Sequence, residues 1–314
     1  MGEKKRLLSG VKPSGRPHIG NYFGAMKQFV DLQDSHECFY MVADYHALNA
    51  VQDAEKMHSL ITNLVLDYLA IGLDPAKAVL FKQSDVPAHT ELAWIFDTIT
   101  TMPYLMRAHA YKDAEAKNKE INVGTFNYPM LMAADILLYD TEVVPVGQDQ
   151  KQHVEYARDT AEKFNRTFGE TFVLPKEMIL EGTAVVPGTD GQKMSKSYNN
   201  TIPLFGSKDE VRDAVFSIVT DSEGKRPENV YTIHKLFKSE PEIEKLYEDH
   251  EGNYKALKDA LIEDIEKLIA PMRERRAGFS EDDVKQVLKD GAEKAEKITS
   301  AKMKDVREKI GVTL

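Results

Sequence analysis

Ser9-Gly10-Val11-Lys12-Pro13-Ser14-Gly15-Arg16-Pro17-His18-Ile19-Gly20-Asn21 is the stretch whose reading decides the fold. The apolar residues just before it, Arg6 to Ser9, read as a strand. The residues just after it, Tyr22, Phe23, Met26 and Val30, recur at helical spacing, so the stretch joins strand to helix through a Gly- and Pro-rich loop. Such a junction gathers unpaired backbone N–H groups at the positive end of the helix dipole and makes an anion site. Gly20 lacks a Cβ, which lets a flat adenine ring lie on the helix backbone, and His18 and Asn21 can donate hydrogen bonds to phosphate or ribose oxygens. Taken alone, the loop equally fits an ordinary turn with a solvent-facing histidine.

Outward from this junction, residues 1–205 alternate short apolar runs with helical patterns. Strands are expected at Arg6 to Ser9, Cys38 to Ala43, Ala78 to Lys82, Glu142 to Val146 and Thr171 to Leu174, with helical periods such as Ile61, Leu64, Val65 and Tyr68 between them. The fold class is therefore α/β, a Rossmann-type parallel sheet wrapped by helices, with its chemistry expected in the loops at the carboxyl ends of the strands. From about Ser207 the strand signals fade and periods such as Leu257, Leu261, Ile262 and Ile265 take over. Residues 206–314 are expected to form an all-α helical domain, its last helix able to pack back on the core, with the joint at Pro203-Leu204-Phe205-Gly206-Ser207.

A second constellation is Gly191-Gln192-Lys193-Met194-Ser195-Lys196-Ser197. Two ammonium groups three residues apart, on a loop able to close, can neutralise a departing pyrophosphate without a fixed bidentate geometry. A helix from Tyr128 to Tyr139 carries one acid, Asp135, on a face with Tyr128, Met132, Ile136 and Tyr139. A lone buried carboxylate must find a donor, and an indole N–H or a phenol O–H would serve, so the residues specify an aromatic ligand with one donor. A cap or an internal salt bridge is the structural alternative for Asp135, and Tyr128 and His46 fit either a pocket or a satisfied core. Gly147-Gln148-Asp149-Gln150 follows the strand through Val144 and Val146 and opens another helix, where Asp149 also suits an N-cap.

Composition sets bounds. The 314 residues, 42% of them hydrophobic, suffice for one large core and a smaller one, and the single cysteine, Cys38, lies in an apolar run and excludes both a disulfide framework and a structural zinc site. No window approaches the ~18 consecutive apolar residues of a spanning helix. A cytoplasmic protein without membrane contact is expected, and no protein-held metal. A formal charge of −10 argues against a nucleic-acid partner, although Arg273, Arg275 and Arg276, or Lys302, Lys304, Arg307 and Lys309, can be read as a basic stripe or as solvated helix faces. No P-loop, Gly-x-Gly-x-x-Gly or His-Glu-x-x-His motif competes with this chemistry.

Pro17-His18-Ile19-Gly20-Asn21 combined with Lys193-Met194-Ser195-Lys196-Ser197 resembles the two signatures of the class I aminoacyl-tRNA synthetases. The rest of the chain is similar to the tryptophanyl members, on Asp44 to Leu48, Tyr128 to Leu138, Val144 to Gln150 and Thr220 to Gly224. The resemblance implies ATP and its Mg2+, L-tryptophan and tRNA(Trp) as partners, a homodimer, and a helical domain that reads the anticodon. It makes His18, Lys193 and Lys196 catalytic. It assigns Lys12, Pro13, Ser14, Gly20, Asn21, Gly147, Gln148, Asp149, Ala184, Met194, Ser195 and Ser197, with both lysines, to ATP. Asp135, Tyr128, His46, Gln150, Val144 and Val146 go to tryptophan, with Asp135 on the indole nitrogen. Two positions depart from the pattern: Lys12 stands where relatives often carry Gln, and Asn21 where the fourth signature residue is His. Lys112 lies in a stretch that resembles a pyrophosphate-contacting helix and also reads as a solvated charge run. A tyrosyl enzyme, a small-molecule nucleotidyltransferase and an inactive nucleotide- or RNA-binding module stay as alternatives.

Overall fold

A computed structural model describes residues 4–116, 120–147, 150–179, 186–220 and 226–314. Five strands, β1 (Arg6–Val11), β2 (Glu37–Val42), β3 (Ala78–Lys82), β4 (Val143–Val146) and β5 (Lys176–Ile179), form one sheet in the order β3-β2-β1-β4-β5. Every pairing is parallel, with Arg6 opposite Glu37 and Val11 opposite Val42 at the two ends of the β1–β2 ladder. The longer helices are α1 (19–32), α2 (Ala54–Ile71), α3 (Ala88–Ile99), α4 (His109–Ala116), α5 (Val123–Leu137), α6 (Lys151–Phe168), α7 (Lys208–Phe216), α8 (Glu228–His234), α9 (Glu240–Asp249), α10 (Tyr254–Ala277) and α11 (Glu281–Lys309), with single helical turns at Asp44–Ala47 and Met102–Leu105. The middle of α1, Tyr22–Met26, is wound as a π-helix.

Both faces of the sheet are covered, which is why its strands read as near-continuous apolar runs. Alternation divides them between two cores. Leu7, Cys38, Tyr40, Val42 and Leu80 belong to one, and Leu8, Phe39, Met41, Phe81, Val144 and Val146 to the other. The chain crosses from the β1–β2–β3 side to the β4–β5 side between β1 and β4, so the loops after these two strands flank the switch point of the sheet, where ligands of such folds bind.

The fifth strand lies five residues later than the sequence predicts. Asn165, near the end of α6, turns its side chain onto the predicted segment: its Oδ1 accepts from the Thr171 and Phe172 N–H groups at 3.0 and 2.9 Å, and its Nδ2 donates to the Phe172 carbonyl at 2.8 Å. Phe172 is buried against Phe96 and Phe164. These β-prone residues therefore serve a helix-to-strand turn, and pairing with β4 begins only after Pro175.

Beyond residue 205 the helices share the two cores of the sheet. Leu261, Ile265 and Met272 of α10 pack into the first, and among the described residues Tyr231, Ile243, Tyr247 and Leu257 form a separate cluster. Helix α11 straddles the β3 edge, with Val284 and Leu288 in the first core and Ala295, Met303 and Val306 in the second. At the crossing, a Cβ on Gly291 would sit 1.9 Å from the Leu80 carbonyl oxygen. The arginines and lysines that suggested a basic stripe are largely ties to this core. Arg276 donates to Asp67 and Asn63, both at 2.6 Å, Arg275 to the Ala70 carbonyl at 2.8 Å, Lys302 to the Thr171 carbonyl at 2.8 Å, and Arg307 pairs with Glu91.

Gly291→Ala is expected to lift α11 from β3 and destabilise the protein by about 1–3 kcal/mol, the usual range for overpacking. Denaturant unfolding measures it, and a midpoint equal to that of the unsubstituted protein would contradict this packing.

Candidate active site

The two motifs at distant positions in sequence meet at the switch point. Ile19 N–H donates to the Ile202 carbonyl and Leu204 N–H to the Pro17 carbonyl, both at 3.0 Å, so the segment after the second motif pairs with the start of α1. The Lys196 ammonium donates to the Ser14 and Gly15 carbonyls at 3.2 and 2.9 Å. A Cβ on Gly20 would lie 2.9 Å from His18 Nδ1 and 3.3 Å from Met194 Cβ, so only glycine lets helix, histidine and second motif come this close. Around the contact is a cavity of about 660 Å³ lined by Lys12, Ser14, His18, Gly20, Asn21, Gly147, Lys193, Met194 and Lys196 among others, with no carboxylate on its wall among the described residues.

His18 caps α1. Its backbone N–H donates to Asn21 Oδ1 at 3.1 Å, and its Nδ1 accepts from the Asn21 N–H at 3.3 Å. Burial, helped by the nearby Lys196 charge, lowers its pKa to about 4, so the ring is neutral at pH 7. Because Nδ1 accepts, the proton of the neutral ring sits on Nε2, which is left as a donor. The second motif is organised from within by Asn200, buried at its far end. Its Oδ1 accepts from the Ser195 N–H at 2.7 Å, and its Nδ2 donates to Asp190 Oδ1 at 2.7 Å and the Lys193 carbonyl at 3.1 Å.

A second cavity, of about 890 Å³, shares Lys12 and Ser14 with the first and extends past Pro13, His46, Lys112, Tyr128, Gln150 and His153. Tyr128 and His153 are hydrogen-bonded, and His153 Nδ1 lies 2.7 Å from Gln150 Oε1. Burial raises the Tyr128 pKa to about 12. Beside this cavity Asp135 is fully enclosed, and it finds its donors inside the protein: His46 at 2.8 Å on Oδ2, and Gln83 at 2.7 Å and His89 at 2.6 Å on Oδ1. Burial pushes the carboxyl pKa up, but these hydrogen bonds and the histidine charges outweigh it and hold the value at about 2.

A family model described as class I tRNA synthetases of the W and Y type matches residues 2–294. The chain is 49% identical to the tryptophan–tRNA ligase of Fusobacterium nucleatum, over 98% of each protein, and 46% identical to that of Rhodopirellula baltica, over 98% of this chain and 99% of the relative. Its structure superimposes with a TM-score of 0.92 on the tryptophanyl-tRNA synthetase of Campylobacter jejuni complexed with ADP and tryptophan, at 45% identity, covering 98% of this chain and 99% of the other.

The chain is a class I aminoacyl-tRNA synthetase of the tryptophanyl group.

Within the synthetase, the residues assigned to ATP gather on the first cavity, Pro13 lining the second; the hydroxyls of Ser195 and Ser197, 2.8 Å apart, belong to the second motif beside it. Gln148, Asp149, Ala184 and 221–224 lie outside the described residues. Among the residues assigned to tryptophan, His46, Tyr128 and Gln150 line the second cavity, whereas Asp135, Val144 and Val146 are buried and on neither wall, Asp135 reaching the second cavity only through His46. Lys112, which also reads as a solvated charge, lines that cavity, exposed. Sequence reasoning missed Gln83, His89, His153 and Asn200. Gln83 directly follows β3, and its place at a strand's carboxyl end was the available signal. The role of Asn200 exists only once its loop has closed on itself. Among the described residues, no three His, Cys, Asp or Glu side chains are set to hold a metal, and no helix is long and apolar enough to cross a membrane.

His18 should titrate near pH 4, and Lys196→Met, which removes the neighbouring charge, should raise that value toward 6.5. Between pH 6.5 and 4 the unfolded chain binds a proton that folded His18 refuses, so stability falls as pH falls through this window. NMR titration of the imidazoles measures the shift. A His18 value that Lys196→Met does not change would show that the two motifs do not meet.

Proposed function

We propose that the chain is a tryptophan–tRNA ligase in which the two cavities hold ATP and tryptophan side by side. A carboxylate oxygen of L-tryptophan attacks the α-phosphorus of ATP in line, the bond to the bridging oxygen breaks, and pyrophosphate leaves. The terminal ribose hydroxyl of tRNA(Trp) then attacks the carbonyl of the adenylate and AMP departs. The observation that carries this reading is the meeting of the loop from Lys12 to Asn21 with Lys193 and Lys196 on one cavity wall.

Such chemistry needs positioning and charge stabilisation more than a protein base. The Nε2–H of His18 and the ammonium groups of Lys193 and Lys196 take up charge that develops on the phosphates, Lys196 moving there from the Ser14 and Gly15 carbonyls. Mg2+ would be carried by the ATP phosphates and would supply charge neutralisation there, beside Lys193 and Lys196. Lys12, on the wall of both cavities, is placed for the tryptophan carboxylate as an ionic contact. Asp135 Oδ2, whose partner His46 lines the second cavity, accepts the indole N–H.

The helices of 206–314 carry the anticodon contact, as the family resemblance suggests, and the enzyme works in the cytoplasm. It works as a homodimer through Trp94, 71% exposed, with Met102, Met106 and Val123, large apolar side chains on neighbouring helices that a monomer would leave in water. Equilibrium sedimentation should give twice the 35.5 kDa chain mass, and Trp94→Glu with Met102→Glu should halve it. A monomeric unsubstituted protein would rule this interface out.

ATP–pyrophosphate exchange should depend on tryptophan and not on tyrosine. Lys196→Ala should slow it by roughly a hundredfold or more, the scale of removing one preorganised charge-stabilising group. Exchange supported by tyrosine alone would overturn the tryptophan assignment.

A further inference from the structure

Gln83 and His89 are fully buried, line neither cavity and have no part in the steps above. Both nevertheless point at Asp135, and both at the same oxygen: Gln83 Nε2 and His89 Nδ1 lie 2.7 and 2.6 Å from Oδ1. An ionised carboxylate has about four acceptor positions. Two on Oδ1 are filled by these residues and one on Oδ2 by His46, which leaves a single acceptor, on Oδ2, the oxygen bonded to the cavity-lining His46.

His89 is fixed in turn. Its Nε2 lies 2.9 Å from the hydroxyl of fully buried Tyr139. An ionised carboxylate can only accept, so Nδ1 carries a hydrogen and donates it to Asp135. Gln83 is held less comfortably. Its Nε2 faces the acid while its carbonyl Oε1 is buried with no hydrogen-bond partner among the described residues. The opposite amide orientation would aim that oxygen at a carboxylate, so the acid dictates the orientation and the unsatisfied carbonyl follows from it. A group chosen only for packing would not leave such an atom.

We infer that Gln83 and His89 are positioning residues for amino-acid selection: by filling Oδ1 they fix the rotation of the Asp135 carboxylate and leave one acceptor, on Oδ2, for the ring N–H of the substrate. This inference rests on the tryptophan reading of Asp135 and deepens it. The direct contact to substrate belongs to Asp135, and the two buried residues act through it.

The test compares kcat/KM in ATP–pyrophosphate exchange for L-tryptophan and for 3-benzothienyl-L-alanine, which keeps the shape and replaces the ring N–H by sulfur. The ratio of the two values reports the hydrogen bond to Asp135 and is insensitive to a general loss of folded enzyme. Gln83→Met and His89→Phe are each expected to lower the ratio by roughly tenfold, the size of one well-made hydrogen bond, through the KM for tryptophan and with the KM for ATP little changed. Gln83→Met also removes the unsatisfied carbonyl, so its melting temperature should not fall while its selectivity does. His89→Asn, whose amide can replace the Nδ1–H donor, should recover most of the ratio lost in His89→Phe. In His89→Phe the acid limb of the tryptophan KM should move to higher pH, because a hydrogen bond that keeps Asp135 ionised is gone. An unsubstituted enzyme with a large ratio that Gln83→Met leaves intact overturns the positioning role and spares the tryptophan reading. An unsubstituted enzyme that accepts both amino acids equally overturns both.

Discussion

The Lys196 ammonium, hydrogen-bonded to the Ser14 and Gly15 carbonyls across 182 and 181 residues of sequence, is the contact on which the active site depends. It is possible because the sheet reverses its strand order between β1 and β4, so the loop after β1 opens at the switch point, and because 202–204 pairs with 17–19 and brings the second motif over that loop. An ammonium resting on neutral carbonyls has a weaker partner than a triphosphate would be. The same contact keeps the second motif against the first loop through an interaction that, in the proposed function, the triphosphate replaces.

The helices after residue 205 supply the rigidity this needs. Arg276 links α10 to Asp67 and Asn63 of α2 and lies over the ring of Phe205, whose carbonyl accepts from Arg16 in the first motif. The joint between the two halves is thus held from both sides, and the start of α1 is braced by residues far from any substrate. Helix α11 closes the exposed edge of β3 and takes part in both cores. The cations on these helices are largely spent on intramolecular partners, which reconciles a net charge of −10 with the basic clusters seen in the sequence.

The parts of this account that were legible in the sequence are those set by local chemistry. A strand, a Gly- and Pro-rich loop and an amphipathic helix mark the strand-to-helix junction because each is encoded within a few residues, and the near-continuous apolar runs of β1 to β4 mark strands buried on both faces. Thr171 to Leu174 misled because intrinsic β preference was overridden by the Asn165 side chain, a tertiary event. Asp135 was legible as an acid in need of donors, but not the three side chains that satisfy it, since Gln83 and His89 lie 52 and 46 residues away and meet it only when α5 packs beside β3 and α3. Asn200 was illegible for the same reason.

The central claim is that the first loop and the second motif grip one triphosphate. A crystal structure of the enzyme with tryptophan and a non-hydrolysable ATP analogue tests it most directly. The account predicts phosphate oxygens within hydrogen-bonding distance, about 2.7–3.2 Å, of both His18 Nε2 and Lys196 Nζ, with Lys196 released from Ser14 and Gly15. A nucleotide held by only one of the two segments, with Lys196 still on those carbonyls, would contradict it.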